Sequence, residues 1–269
     1  DGTIHKVVPS MRGIGTPAPG DTIQVDSTVG DPTGGHVPPV GIPPAEPVPF
    51  EQYYEEFKGR TASFTPAFTI DNRNDPFDTS KGKRFNARVR MAGGILGGDF
   101  NYFKPELSHT HWFPYDRKQK FIFAFNAEAG MFFPYNDSEI PIYERYRLGG
   151  DRSLRGIPYY TVLPRTEDGR YFLNQNGVRE GGDRYWLLNL EQQFAIGGPV
   201  KLVFFVDLGN TYHEDQGWDL ALWRRTTGIE LRVLLPIFQA PIRFIYGYNL
   251  DPWPEENQSD FQFSIGTTF

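Results

Sequence analysis

From residue 62 onward, apolar and polar side chains alternate with period two. In 118–133, Phe121, Phe123, Phe125, Ala127, Ala129 and Met131 fall on one face, with Lys120, Asn126 and Glu128 on the other. In 83–95, Phe85, Ala87, Val89 and Met91 oppose Arg84, Asn86, Arg88 and Arg90. In 224–235, Thr227, Ile229, Leu231, Val233 and Leu235 oppose Glu230 and Arg232. Such alternation puts one set on each side of a β-strand. It predicts about nine strands, near 62–71, 83–95, 99–113, 118–133, 184–196, 199–210, 224–235, 240–250 and 260–269. The last carries Phe261, Phe263, Ile265, Thr267 and Phe269 as one stripe, and a chain that finishes on an amphipathic strand with a final aromatic residue points to an outer-membrane barrel.

Ionised residues recur on one face and long apolar ones on the other. That division fits an all-β, transmembrane antiparallel barrel with lipid outside and a polar lumen, because a lipid-facing Arg or Lys costs about 2–4 kcal/mol near the midplane. Nine is an awkward number. Single-chain bacterial barrels normally have an even count, and an open edge in lipid strands its backbone amides. A further strand, or residues from a partner chain or upstream piece, is therefore expected to complete the sheet. Ile196-Gly197-Gly198-Pro199 and Phe238-Gln239-Ala240-Pro241 are expected short turns, whereas 134–183 and 211–223 are long. Short periplasmic turns and long extracellular loops have that asymmetry. With the last strand directed inward, the strand at 62–71 also runs inward and 1–61 lies outside the cell. That stretch is rich in Pro and Gly (Thr16-Pro17-Ala18-Pro19-Gly20, Glu46-Pro47-Val48-Pro49) and reads as an extracellular loop or tether, since Pro cannot donate to a ladder.

Composition changes the picture in four ways. A mean hydropathy of -0.48 leaves no run long enough for a membrane helix, which a barrel does not need. The 23 Phe and 14 Tyr suit aromatic girdles at the two bilayer interfaces. The absence of cysteine removes disulfides, Cys-ligated zinc and thiol catalysis. A net charge of -6 without a long basic run argues against nucleic acid as a partner. No secretion signal precedes Asp1, so a processed or truncated form is expected.

The candidate chemistry lies in the longest loop, Tyr146 to Tyr160, which contains Gly149-Gly150-Asp151-Arg152-Ser153-Leu154-Arg155-Gly156-Ile157. An Arg-Gly step there is also what an exposed turn contains. Two strands sharpen the reading. Glu191 lies opposite the stripe Trp186, Leu188, Leu190, Phe194 and Ile196, and Asp207 lies opposite Val200, Leu202, Phe204, Val206 and Leu208. Both acids are thus expected to face the lumen from adjacent strands, where Arg155 on a folded-in loop meets them as a planar fork. Enzymatic readings carry less. His109 and His111 lack a third metal ligand nearby. Ser153 has no His–Asp pair at a recognisable spacing. Asp71, Asp75 and Asp78 lack EF-hand spacing and read as turn caps rather than a Ca²⁺ site. No enzyme, metal or cofactor is expected.

The loop segment Gly149–Ile157 resembles the loop-six motif of the Omp85 superfamily. Phe204-Phe205-Val206-Asp207-Leu208-Gly209-Asn210 resembles that family's Phe-x-Asp-x-Gly strand. Asp71-Asn72-Arg73-Asn74-Asp75-Pro76-Phe77 with Gly82 resembles its Asp-rich turn, and Phe261–Phe269 resembles the ending of its barrel-assembly (BamA-like) members. The resemblance covers 62–269. It implies the C-terminal part of a sixteen-stranded barrel, with this chain supplying the eighth to sixteenth strands. It also implies anchoring of Arg155 by Glu191 and Asp207, and a gate strand comprising Phe261, Phe263, Ile265, Gly266 and Phe269. Ile157 departs from the usual aromatic after Arg-Gly. The implied activity is insertion of client β-barrel proteins into the outer membrane of a diderm bacterium. The implied partners are the lipid bilayer, accessory lipoproteins and a POTRA-bearing N-terminal segment or chain. Two alternatives stand beside it: a family relative that translocates protein (TamA-like or two-partner secretion), and a structural or surface-binding barrel module without insertase activity.

Overall fold

The computed structural model describes residues 59–173, 177–219, 222–235 and 240–269. Most of the Pro-rich stretch and part of the turn expected near Phe238 lie outside the described residues. The strands are β1 (Ser63–Phe64), β2 (Ala67–Asp71), β3 (Gly82–Ala92), β4 (Tyr102–Pro114), β5 (Phe121–Met131), β6 (Phe133–Pro134), β7 (Arg184–Gly197), β8 (Val200–Tyr212), β9 (Arg224–Leu235), β10 (Ala240–Asn249) and β11 (Ser259–Ile265). They form one sheet in the order β1-β3-β4-β5-β7-β8-β9-β10-β11, with β2 also on β3 and β6 also on β4. Every pairing is antiparallel.

β1 and β2 are two pieces of one edge strand, interrupted at Thr65-Pro66. Pro66 has no amide to give, but its carbonyl accepts from Val89 N–H at 3.1 Å. β5 and β6 likewise follow one line along β4. The sheet therefore has nine strand positions, as the alternation predicts. It does not close: among the described residues β11 pairs only with β10, and β1 and β2 only with β3.

Burial follows the predicted faces. In β10, residues 241, 243, 245, 247 and 249 are buried, whereas Phe244, Tyr246 and Tyr248 are exposed. Phe204, Val206, Ile229, Leu231, Phe261, Phe263 and Ile265 also stand exposed on the outer face. Large apolar side chains gathered on one face in this way are what lipid covers in an outer-membrane barrel. His109 and His111 belong to this outer face, among Phe85, Phe113 and Phe125.

The inner face is filled in three levels. Towards the long loops, Leu148, Leu154, Ile157 and Val162 of the 135–183 connection pack on Tyr102 of β4 and Tyr185 and Leu187 of β7. The middle level is ionic. At the short-turn end, Trp112, Ile122 and Ala124 form a small apolar cluster. The Asp-rich connection 72–81 lies at that end, and its acids and the adjoining Asp71 are all engaged. Asp71 takes Arg73, Asp75 accepts the Phe77 and Asp78 amides at 2.7 and 2.8 Å, and Asp78 pairs with Lys201 of β8.

Ile229→Arg, near the middle of β9 on the outer face, is expected to lower unfolding stability in lipid vesicles by about 2–4 kcal/mol. Denaturant titration followed by tryptophan fluorescence checks this. An unchanged midpoint would mean that the outer face does not contact lipid.

Candidate functional site

Arg155 is fully buried and sits where the loop tip meets the inner wall. Its Nε and Nη2 donate to Asp207 Oδ2 and Oδ1 at 2.8 and 2.7 Å, a two-pronged grip of the kind a guanidinium fork favours. Its backbone N–H donates to Asp207 Oδ2 at 3.1 Å. Nη1 donates to Glu191 Oε1 at 2.6 Å and to Glu230 Oε2 at 2.9 Å. The guanidinium also lies 3.9 Å from the centre of the Phe205 ring, a cation–π contact. Strand parity explains the convergence. Glu191 on β7, Phe205 and Asp207 on β8, and Glu230 on β9 are all at inward positions of neighbouring strands.

The network continues past the residues the sequence singles out. Arg232 of β9 donates to Glu191 Oε1 at 2.6 Å and Glu230 Oε1 at 2.5 Å. Arg243 of β10 donates to Glu230 Oε1 at 2.7 Å and, through Nη1, to Asp151 Oδ2 of the loop at 2.9 Å. Asn189 Nδ2 donates to Asp207 Oδ1 at 2.8 Å and to the Ser153 carbonyl at 2.7 Å, and Gln193 donates to Glu191 Oε2 at 2.8 Å. Three guanidiniums thus interleave with four carboxylates, and most spare lone pairs are met by amides. Glu230 and Arg232 are legible as inward residues of their strand. The partnership of Glu230 with Arg155 is not, because it joins residues 75 positions apart.

The remaining loop residues shape the approach. The Gly150 amide donates to the Ile157 carbonyl at 2.9 Å and the Gly149 amide to Ser153 Oγ at 2.9 Å, closing the loop on itself. Ser153 is thereby a loop tie. Gly156 has φ +88°, and a Cβ there would come within 2.6 Å of the Gly247 backbone on β10. Only two glycines let loop and strand meet this closely. Ile157, in place of the aromatic, is buried beside Leu154.

The edge strand is tied to the same loop from inside. Gln262 Nε2 donates to the Ile157 carbonyl at 2.9 Å, and Ser264 Oγ donates to Asp151 Oδ2 at 2.5 Å. Phe261, Phe263 and Ile265 face outward, as their spacing predicts. The stripe does not continue to Phe269, however. β11 stops at Ile265, Gly266 takes φ +129°, and the chain turns inward, so that Phe269 packs on Trp112.

A family profile described as the Omp85 superfamily domain matches residues 31–269. Over 208 residues, 75% of this chain, the sequence is 28% identical to the outer membrane protein assembly factor BamA of Nitratidesulfovibrio vulgaris, covering 25% of that protein. Over 165 residues, 58% of this chain, it is 27% identical to the sorting and assembly machinery component 50 homolog of Mus musculus, covering 33% of it. The chain thus spans between a quarter and a third of the length of these curated relatives. The crystal structure of BamA from Haemophilus ducreyi lacking POTRA domains 1-3 has the same fold, with TM-score 0.62 and 20% identity over 75% of this chain and 41% of that one.

Two predictions follow from this geometry. Arg155→Ala leaves three buried carboxylates short of a partner and is expected to cost about 3–5 kcal/mol, with Arg155→Lys losing less. Heat-modifiability on gels measures it, and an unshifted transition for both variants would show that Arg155 does not hold the loop. Beyond the strands, Glu180 lies 3.7 Å from His213 and raises the imidazole above its ordinary value, while burial opposes the shift. Asp215 at 3.2 Å also favours the charged imidazole, whereas Arg145, which pairs with the same Glu180, disfavours it. A raised folded-state pKa gives stabilisation that is complete below about pH 6.5 and is lost as pH rises through the folded value. Proteolysis within 177–183 is therefore expected to quicken from pH 6 to pH 8, and to be independent of pH in His213→Gln.

Proposed function

Since the chain belongs to the Omp85 superfamily, a family of outer-membrane β-barrels, we propose that it forms the C-terminal part of a BamA-like insertase that assembles client β-barrel proteins into the outer membrane of a diderm bacterium. The observation that carries this reading is the edge strand. β11 is only seven residues long, so among the described residues its ladder with β10 is short, and the seam it would form with an upstream strand is weak enough to exchange for an incoming strand by β-augmentation. Phe261, Phe263 and Ile265 would keep that strand in lipid, and Gly266 would let the chain bend away at its end. Catalysis in this reading is physical, through a weak seam, and needs no cofactor or reacting residue.

Arg155, with Gly149, Gly150, Gly156 and Ile157, would hold the loop in the lumen through Glu191 and Asp207, and so keep the wall next to the seam in shape. Completion of the barrel falls to upstream strands joined to a POTRA-bearing segment or chain, with accessory lipoproteins beside them. Residues 1–61 serve as an extracellular tether. The bacterial setting is part of the proposal, because an animal protein is among the relatives. A role in translocation rather than insertion predicts that clients cross the membrane instead of remaining in it.

The test is reconstitution of the native complex containing this chain in proteoliposomes, with an unfolded outer-membrane barrel as client. Protease-resistant, heat-modifiable client is expected, at a rate well above that of empty liposomes. Equal rates with and without the complex would overturn the insertase reading.

A further inference from the structure

Segment 266–269 does more than end a strand. With Arg73 and Phe77 of the Asp-rich connection, Trp112 of β4, Lys201 of β8 and Leu234 of β9 it lines a cavity of about 40 Å³ at the short-turn end. The Gly266 amide donates to the Pro241 carbonyl at 2.9 Å, the last backbone bond to the sheet among the described residues. Two residues later Thr268, only 6% exposed, accepts from Arg232 Nη2 at 2.8 Å. The Phe269 ring then lies 5.9 Å from that of Trp112, beside Ile122 and Ala124. Trp112 is itself fixed by the Arg73 guanidinium, 5.8 Å from its ring.

The topology gives this contact its meaning. β5, β7, β8, β9 and β10 separate β4 from β11 along the sheet. A tail leaving one edge of the sheet is therefore held by a wall far around the path. We propose that Trp112 and Arg232 on the inner wall form the docking site of segment 266–269, and that Phe269 on Trp112 is a latch restraining edge strand β11. The other inward ties, Gln262 and Ser264, hold the strand to the loop, whereas this one anchors its far end. With the tail seated, β11 cannot swing from the lumen without withdrawing an aromatic ring from its pocket. With the tail released, the ties left to the strand among the described residues are its pairing with β10 and the two loop bonds. The latch stands on the geometry, and its use in freeing an edge for a client rests on the insertase reading.

Hydrogen exchange on the purified native complex in detergent, without any client, tests it. Trp112→Ala leaves every residue from 259 to 269 unchanged. It is expected to speed exchange across Ser259–Ile265 by about tenfold, the size an aromatic pair supports, while Val200–Tyr212 stays protected. Trp112→Phe is expected to restore protection. Gly266→Val, which strains the inward turn, is expected to reproduce the Trp112→Ala result. Unchanged exchange over Ser259–Ile265 in Trp112→Ala, or equal loosening of all strands, overturns the latch and leaves the insertase reading intact. Selective loosening in a complex whose wild type inserts nothing would overturn the insertase reading and leave the latch standing.

Discussion

A guanidinium with no access to water must be surrounded by acceptors, and Arg155 imposes that requirement on three strands at once. Glu191, Asp207 and Glu230 come from β7, β8 and β9. Each of these buried carboxylates is in turn costly without a cation, so Arg232 and Arg243 join the set. Replacing such a network with well-packed apolar side chains is often neutral or stabilising. Its contribution is therefore better sought in geometry than in net energy. An apolar loop tip slides over an apolar wall at little cost, whereas a fork gripping a carboxylate at 2.7 and 2.8 Å has one register.

That register accounts for the spacing of two motifs. Phe205, Asp207 and Gly209 are at alternate positions of β8 and so point the same way. The first stacks on the Arg155 guanidinium and the second chelates it. The Arg-Gly step pairs a charged fork with a residue lacking Cβ because the chain must pass against Gly247 immediately after the arginine is seated. A side chain at either glycine would lift the loop from the wall and pull the fork from its acids.

Much of this was legible because a strand's two faces are set by parity alone. Alternation located the strands to within a few residues, put Glu191 and Asp207 on the inner face of neighbouring strands, and put the aromatic stripes outside. Three things were not legible. The contribution of Glu230, Arg243 and Asp151 depends on register and on loop placement, which side-chain alternation does not encode. The break of the first strand at Thr65-Pro66 follows from the missing amide, but the resumption of pairing beyond it depends on β3. The stripe from Phe261 to Phe269 misled at its end because parity holds only while the backbone stays extended. Gly266, at φ +129°, resets it, and the final aromatic residue turns to the opposite side.

The edge strand brings these constraints together. β11 is seven residues long, against thirteen for β8 and fourteen for β7, so it has few ladder bonds with which to hold its place. Its inward side chains compensate: Gln262 and Ser264 bond the loop, and the loop is pinned by Arg155 and Arg243 to β7–β10. Both of these ties to the loop are made by side chains pointing into the lumen, so they leave the backbone of the strand to its ladder. A strand fastened in that direction keeps Phe261, Phe263 and Ile265 on the outer face. Loop anchoring and the placement of β11 are therefore mechanically joined, because the loop that Arg155 holds is the loop to which Gln262 and Ser264 bond.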